Sequence, residues 1–390
     1  MVILRLFIFL ITVSIATSLT ASEGIRIILF TIDGLHWKAP EKLRMPVLNQ
    51  LRNEGVYVEK SYMIIPHHPT VGDYSKYNSC SFPNPMLHQG SLFISSENKM
   101  VQEVVSTKHT SAFVVNTSAY RSVARGFNTS IMDSNLSDKD VVNNAIMLLD
   151  NQDIRFMRIH LQSPGTNGES VALHSADKSY SNNIWAPGSP YMDAIESADK
   201  LLGDFVSFLK ESGKWANTIL IVTSDHGQSD NGWHPMLDEN SWITPLLFVG
   251  KGIARNRELP YFEHTDLAPT ILWLLGMQPL KTESGKGIII REIKEEYSSG
   301  GFYHPRFIKK INQQIKEYSI LLAKLTLASD KNFAIANVVA SLENQNLTPE
   351  PFYHQDRIME WHNAGSAEHL IEANELILNR MRELVKKNSL

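Results

Sequence analysis

Four short and almost uninterrupted apolar runs do most to limit the folds open to this chain. They are residues 25–31 (IRIILFT), 156–161, 218–223 (TILIVT) and 246–249. Runs of this length and composition are typical of strands buried on both faces, as in a parallel sheet. Segments with helical spacing of apolar residues separate them, notably 141–149 and 192–209. Strands that alternate with helices predict an α/β fold, here a three-layer α/β/α sandwich with a mostly parallel sheet.

The composition fits a soluble globular protein and argues against one class of partner. Apolar residues make up 43% of the 390 residues and charged residues 20%, so a sizeable core can form. The formal net charge is -4, and nucleic-acid binding usually needs a basic surface. We therefore expect no nucleic-acid partner. A site for an anionic ligand would need local positive charge, which a bound cation can supply.

The first 22 residues have the pattern of a secretory signal peptide. Arg5 precedes an apolar run over residues 6–15, and small residues follow over 16–22. A membrane anchor is the alternative, but the run is shorter than the ~20 apolar residues of a membrane span. We expect cleavage and export to the periplasm or the extracellular space, with no span afterwards. Cys80 is the only cysteine, so no intramolecular disulfide can form.

Residues 298–301 (SSGG) mark a change in the character of the chain. Before them, residues 23–297 carry the strand and helix alternation and are predicted to form the catalytic domain. After them, residues 302–390 contain two amphipathic helical stretches, 307–327 and 367–387, and are predicted to form a helical C-terminal region. Packing on the main domain and association with another copy are both open, and the oligomeric state stays undetermined.

Polar side chains follow two of the predicted strands directly. Asp33 lies in a TIDG sequence after the first strand, and Asp225 and His226 lie in an SDHG sequence after residues 218–223. Parallel sheets bind ligands beyond the carboxyl ends of their strands. Carboxylate and imidazole together suit zinc, manganese or a similar divalent metal. The alternative for each motif alone is an ordinary turn, but two aspartates at strand ends point to the same edge.

Ser81 and His234 are two further candidates. Ser81 lies two residues before Pro83, which is tolerated in the first turn of a helix, so the serine would sit at a helix N-terminus that favours anions. There a metal could help its hydroxyl lose a proton and attack phosphorus or sulfur. A plain N-capping serine is the alternative. His234, in a GWH sequence, could bind a metal or contact substrate, although most loop histidines do neither.

Taken in order, these motifs resemble those of the alkaline phosphatase superfamily, which includes phosphodiesterases, sulfatases and phosphonate monoester hydrolases. The resemblance covers roughly residues 25–287. It implies that Asp33, Asp225 and His226 hold a divalent ion, with zinc expected and manganese or calcium as alternatives. It implies that Ser81 is the nucleophile and contacts that ion. His234 matches a histidine that binds a second ion in two-metal members and lies near the leaving group in sulfatase-like members.

The chain departs from the two-metal pattern after its middle strand. Two-metal members have an aspartate and a histidine where residues 164–169 (PGTNGE) here carry Gly165 and Glu169. We therefore expect one ion. Nearby polar side chains that could substitute as ligands of a second ion are His160, Gln162, His174 and Asp177. A sulfatase-type cysteine is also missing, because Cys80 lies one place too early and Ser81 has the matching position.

The predicted function is hydrolysis of a small anionic ester. We expect an exported, metal-dependent hydrolase of phosphate mono- or diesters that works through a covalent Ser81 intermediate, with His234 assisting the leaving group. One alternative is a one-metal sulfate or phosphonate ester hydrolase. Others are a superfamily member that binds a ligand without turnover and a transferase that uses an acceptor other than water.

Overall fold

The computed structural model describes residues 24–63, 99–278 without Met236, 287–330, 332–343, 368–388 and 390. The predicted signal peptide, Cys80 and Ser81 lie outside these ranges. Within them, none of the helices is both long enough and apolar enough to cross a membrane.

A sheet of nine strands forms the centre of the molecule, in the order β4-β3-β5-β1-β6-β7-β2-β8, with β9 also paired to β2. The strands are β1 Arg26–Ile32, β2 Val56–Tyr62, β3 Thr110–Val115, β4 Thr129–Met132, β5 Ile154–Leu161, β6 Thr218–Thr223, β7 Ile243–Gly250, β8 Arg257–Glu258 and β9 Phe262–Glu263. Every pairing is parallel except those of β7 with β6 and with β2. The mostly parallel sheet is confirmed.

Helices cover both faces of this sheet. They are α1 Ala39–Lys42, α2 Pro46–Glu54, α3 Val101–Val105, α4 Asp138–Asn151, α5 Ser163–Leu173, α6 Pro190–Glu211, α7 Leu267–Leu274, α8 Phe307–Ser329, α9 Phe333–Glu343 and α10 Glu368–Lys387. Short 3₁₀ turns occur at Arg121–Ala124, Lys214–Asn217, Glu239–Trp242, His264–Asp266 and Arg291–Ile293. Residues of α2, α4 and α6 pack on one face and residues of α3 and α7 on the other. The three-layer α/β/α sandwich is confirmed.

Local sequence explains why the first helical layer forms where it does. Ser137 caps α4, because its hydroxyl accepts a hydrogen bond from the Asp140 backbone N–H at 3.2 Å and the Asp140 carboxylate accepts from the Ser137 N–H at 3.0 Å. Pro190 occupies the first turn of α6, where its missing N–H costs no hydrogen bond. Each of these helices then turns an apolar stripe towards the sheet.

The middle strands bring three chain segments level at one edge of the sheet. Every residue of β1 is buried. Its Thr31 pairs with His160 of β5 on one side and with Thr223 of β6 on the other. The turns that follow these strands therefore emerge side by side, which is the position expected for a ligand site in an open α/β sheet.

Several strands differ from the sequence-based expectation. The predicted strand at residues 246–249 extends over Ile243–Gly250 and runs antiparallel to its neighbour β6, because the loop after β6 stays at one edge and β7 starts there. β2 was not predicted. Its sequence VYVEKSY carries exposed Glu59 and half-buried Lys60 at a register irregularity, so it lacks an uninterrupted apolar run.

The C-terminal helices form their own apolar cluster and also contact the sheet. Residues of α8, α9 and α10 pack together, while the start of α8 packs against Tyr62 and Trp242. The Asn312 side-chain amide donates to the Met63 carbonyl at 2.7 Å. Helical structure after residue 302 agrees with the expectation, although α9 was not foreseen. The boundaries 23–297 and 302–390 stay predictions.

Candidate metal centre

The turns after β1 and β6 are tied directly to each other. Gly34 adopts a left-handed conformation (φ 62°), which lets the chain turn immediately after Asp33. Its backbone N–H donates to Asp225 Oδ1 at 3.4 Å, and the next N–H, of Leu35, donates to the Ser224 hydroxyl at 3.0 Å. Asp33 and Asp225 therefore lie together at the sheet edge, both buried.

His226 turns one ring nitrogen towards these carboxylates. Its Nδ1 lies 2.8 Å from the Gly227 carbonyl, so Nδ1 carries the proton and donates it. This tautomer leaves a lone pair on Nε2, which is 3.5 Å from Asp33 Oδ1 and 3.6 Å from Asp225 Oδ2. A backbone carbonyl that fixes the tautomer is the usual support for a metal-binding histidine.

His160 joins the cluster from β5. Its Nε2 is 3.1 Å from Asp33 Oδ2, and Tyr120 donates a long hydrogen bond of 3.5 Å to the same oxygen. Ligand atoms of Asp33, His160 and Asp225 all lie within 4.8 Å of one another. From the sequence, His160 was expected only as a possible ligand of a second ion. Its position near the end of the apolar run 156–161 is the sequence signal for a place at this edge, and the pairing of β5 with β1 brings it level with Thr31.

Burial dominates the electrostatics of this cluster. Burial, and then the facing Asp225, raises the pKa of Asp33 well above its usual value. Burial also disfavours the charged form of Asp225, but His226, His160 and Arg158 outweigh it and lower the pKa of that carboxyl. Burial lowers the pKa of His160 to about 4, so its imidazole is neutral near pH 7. The repulsion between two carboxylates in one buried place favours the binding of a cation between them.

The donor set fits a divalent ion. Asp225 Oδ2 is buried and has no hydrogen-bond partner in the part of the chain that the structure describes. A buried carboxylate oxygen without a donor is costly, and coordination would satisfy it. Mixed oxygen and nitrogen donors suit zinc or manganese better than the all-oxygen sites that calcium prefers. Asp33, His160, Asp225 and His226 are the side chains that could hold the ion.

His234 lies beside this cluster. Its ring centroid is 4.1 Å from that of His226 and 4.1 Å from that of Trp233, so both rings contact it. Trp233 has φ 63°, a conformation that is uncommon for a bulky residue and turns the loop sharply here. The structure thus brings Asp33, Asp225, His226 and His234 together, while Ser81 lies outside the described residues.

The place expected for second-ion ligands is filled by the start of α5. A Cβ atom on Gly165 would lie 1.9 Å from Asp33 Oδ1, so the helix backbone packs directly on that carboxylate. A Cβ on Gly168 would lie 1.9 Å from the buried Gln228 amide nitrogen. His174 and Asp177 lie at and beyond the other end of α5, and both are exposed, so the structure does not bring them to the centre.

The segment between α5 and α6, together with the first turn of α6, supports both metal-site turns. The Tyr191 hydroxyl donates to the Gly34 carbonyl at 2.8 Å and accepts from the His36 N–H at 2.9 Å. Trp185 Nε1 donates to Asp230 Oδ1 at 2.5 Å, and Asp230 lies in the loop that carries His226 and His234. These contacts fix the two turns relative to each other.

Residues 81–277, about half of the chain, match the family model described as Sulfatase. The chain belongs to the sulfatase family. This places it in the alkaline phosphatase superfamily, as the motif order indicated.

The curated relatives of this sulfatase-family chain are named for different activities. It is 30% identical over 106 residues to the multifunctional alkaline phosphatase superfamily protein PehA of Trinickia caryophylli, covering 25% of this chain and 21% of the relative. It is 30% identical over 125 residues to phosphoglycerol transferase I of Xanthomonas euvesicatoria pv. vesicatoria, covering 30% and 18%. The chain thus spans about a fifth of the length of these relatives.

Its fold is shared with solved structures at low sequence identity. The putative sulfatase yidJ from Bacteroides fragilis superposes with a TM-score of 0.58 at 14% identity, covering 70% of this chain and 79% of that one. At this identity the likeness shows the fold alone.

Proposed function

We propose that this chain is a metal-dependent hydrolase of phosphate mono- or diesters that works through a covalent Ser81 intermediate. The observation that carries the proposal is the buried cluster of Asp33, His160, Asp225 and His226 at the carboxyl edge of the sheet. Family membership supports ester chemistry, and the phosphate preference rests on Ser81 at the place where sulfatases use a cysteine. The expected substrate is a small anionic ester.

Each group has a distinct part in this scheme. A bound ion would neutralise charge on the transferring group and favour the alkoxide form of Ser81. Ser81 Oγ attacks phosphorus in line, and the bond from phosphorus to the ester oxygen breaks. His234 protonates the departing alkoxide, then takes a proton from the water that hydrolyses the phosphoserine. Contacts with the Trp233 and His226 rings restrict the orientation of His234 for both proton transfers.

We propose a single ion at this centre. Gly165 stands where two-metal members carry an aspartate, and its backbone packs against Asp33 so closely that no side chain fits there. Two of the candidates named from the sequence, His174 and Asp177, do not compensate, because both are exposed and lie at and beyond the far end of α5. Zinc or manganese is the expected ion.

Gly165→Ala is expected to weaken metal binding by about 10- to 100-fold, the range seen when groups supporting metal ligands are altered. The new Cβ would lie 1.9 Å from Asp33 Oδ1, so the carboxylate or the helix must move. Competition with a metal-chelating dye measures the affinity. Gly300→Ala is the control, because its Cβ would meet only the Ser298 hydroxyl, at 3.2 Å. Unchanged affinity in Gly165→Ala would contradict the packing argument.

A direct test of the function compares three chromogenic esters before and after chelation. Aryl phosphate, bis-aryl phosphate and aryl sulfate are assayed side by side, and the metal content of the purified protein is measured by mass spectrometry. We expect hydrolysis of one or both phosphate esters, loss of activity on chelation and recovery with zinc or manganese. Hydrolysis of the sulfate alone would favour the sulfatase alternative. Absence of metal and of all turnover would favour a non-catalytic binding protein.

A transferase is a second candidate, favoured by one of the relatives. Phosphoglycerol transferase I is named for transfer rather than hydrolysis, and the same serine intermediate could pass its group to an alcohol. Turnover with added glycerol separates the two activities. A glycerol phosphate product that grows at the expense of free phosphate indicates transfer.

We also propose export, from the signal-peptide pattern of residues 1–22 alone. Fractionation of producing cells, with N-terminal sequencing of the mature chain, tests it. Recovery of the uncleaved chain in the cytoplasm would contradict export.

A further inference from the structure

A cavity of about 340 Å³ lies between the loop before β9 and the start of α8. Six of its eight lining residues carry basic or aromatic side chains: His304, Arg306, Lys310, Tyr261, Phe302 and Tyr303. Among the residues that the structure describes, no acidic side chain lines it. The cavity is therefore basic and aromatic in a chain whose formal net charge is -4.

The nearest acids are buried behind the cavity wall and are already engaged. Glu263 Oε1 accepts hydrogen bonds from the Tyr261 hydroxyl at 2.7 Å and from the Ile308 N–H at 2.8 Å. Asp266 contacts His304 Nε2 and accepts from the Glu263 N–H at 3.2 Å. Asp266 thus pairs with His304, and both carboxylates stabilise the wall and the start of α8, whereas neither forms an ion pair with Arg306 or Lys310 in the described ranges.

Arg306 and Lys310 supply the positive charge. Both are exposed, and neither forms an ion pair with any residue in the described ranges. Arg306 adopts a left-handed conformation (φ 61°) although it is not glycine. Such a conformation is unfavourable for a non-glycine residue and is concentrated at functional sites. It places the guanidinium carbon 5.3 Å from the centre of the Tyr261 ring, in cation–π range.

The cavity lies at the same sheet edge as the candidate metal centre. Tyr261 stacks on Tyr62, the last residue of β2, with ring centroids 4.9 Å apart. β2 is antiparallel to β7, which is antiparallel to β6, so β2 ends at the same edge as β1 and Asp33. Three strand spacings separate β1 from β2 in the sheet, which is about 14 Å.

We propose that this cavity is a second anion-binding subsite for an extended substrate that carries several anionic groups. The proposal rests on the proposed function, because the ester to be cleaved lies at the metal centre. Arg306 and Lys310 bind a second sulfate or phosphate group, about 14 Å or more from the ester group at the metal centre. The faces of Tyr261, Phe302 and Tyr303 contact the apolar surface between the charges. The substrate class is therefore a polyanionic ester, and the shared chemistry covers sulfated and phosphorylated saccharides.

The test uses the full chain with both residues changed. Arg306→Gly removes the guanidinium and also suits the left-handed backbone, so the variant should fold; Lys310→Ala removes the second charge. The matched control is Lys324→Ala, an exposed lysine fourteen residues further along α8, about 21 Å away. Calorimetric titration with a sulfated octasaccharide and, separately, with a phosphorylated oligosaccharide of similar length measures binding and shows which source is preferred.

We expect the double variant to bind the preferred polyanion about tenfold more weakly or worse, since hydrogen bonds to charged groups are stronger than those between neutral groups. Lys324→Ala should bind as the unchanged protein does. If the double variant does not fold, the single variant Lys310→Glu replaces it and should show the same loss. Equal binding by all variants, or an equal loss in the control, would overturn the subsite.

Kinetics separate this inference from the proposed function. In the double variant, kcat and KM for a small aryl ester should be unchanged, while KM rises for a polyanionic ester. If aryl esters are hydrolysed and KM for the polyanion does not change, the subsite is overturned and the hydrolase function stands. If no ester is hydrolysed but polyanion binding still depends on Arg306 and Lys310, the hydrolase function fails and the anion-binding cavity stands.

Discussion

Asp225→Asn is expected to abolish tight binding of a divalent ion and to lower kcat/KM for phosphate esters by about a thousandfold or more. This corresponds to about 4 kcal/mol of lost transition-state stabilisation, the size usual for a preorganised electrostatic group. The amide keeps the shape of the side chain and removes its charge. Asp225 Oδ2 also lacks any hydrogen-bond donor among the described residues, so coordination is the interaction it is placed to make.

Thermal unfolding of the same variant separates a metal ligand from a merely structural carboxylate. In the metal-free protein, Asp225 faces the buried Asp33 and contributes to the raised pKa of that carboxyl. Asparagine removes this repulsion but also the attraction to His226, His160 and Arg158 that lowers the Asp225 pKa, so metal-free Asp225→Asn should have a Tm at or below that of the metal-free unchanged protein. Added zinc should raise the Tm of the unchanged protein and not of the variant, because zinc stabilises the folded state only when it binds to it.

Asp204→Asn is the matched control for the metal experiment. It makes the same chemical change at an exposed position on α6. Metal content after dialysis and the hydrolysis rate should match those of the unchanged protein. If Asp225→Asn retained one equivalent of metal and a rate within about twofold of the control (~0.4 kcal/mol), the cluster would not be the metal centre.

Ser81→Ala is expected to remove turnover almost completely while metal content stays the same. Loss of the nucleophile prevents the covalent step, and the residual rate should be lower by about a thousandfold or more. The ion should be retained, because four other side chains can hold it. Intact-mass measurement after rapid quenching should find the phosphorylated chain in the unchanged protein and not in Ser81→Ala.

Cys80→Ala provides the control next to that serine. A sulfatase-type reaction would depend on a cysteine, whereas the proposed reaction does not. We expect Cys80→Ala to keep kcat/KM for phosphate esters within about threefold of the unchanged protein (~0.7 kcal/mol). The opposite pattern, with activity lost in Cys80→Ala and kept in Ser81→Ala, would assign the nucleophile to the cysteine and shift the function towards sulfate esters.

The amino-acid sequence by itself determined the framework and part of the site. Continuous apolar runs such as TILIVT identify buried strands, because successive side chains of a strand point to opposite faces and all of them are removed from water only where both faces are covered. Asp33, Asp225 and His226 were recognisable because they directly follow such runs. Local sequence is sufficient for these features, since burial and the turn after a strand both depend on neighbouring residues.

Tertiary structure decided which of these strand ends are neighbours. His160 enters the cluster because β5 lies next to β1 in the sheet, and no local pattern specifies that order. The start of α5 packs on Asp33, which places Gly165 against the carboxylate and leaves His174 at the far end of the helix. The same holds for the basic cavity, where a loop and the residue before α8, 45 positions apart in sequence, meet at Tyr261 and Arg306. Sequence spacing does not fix contacts of this kind, because they depend on how separate elements pack.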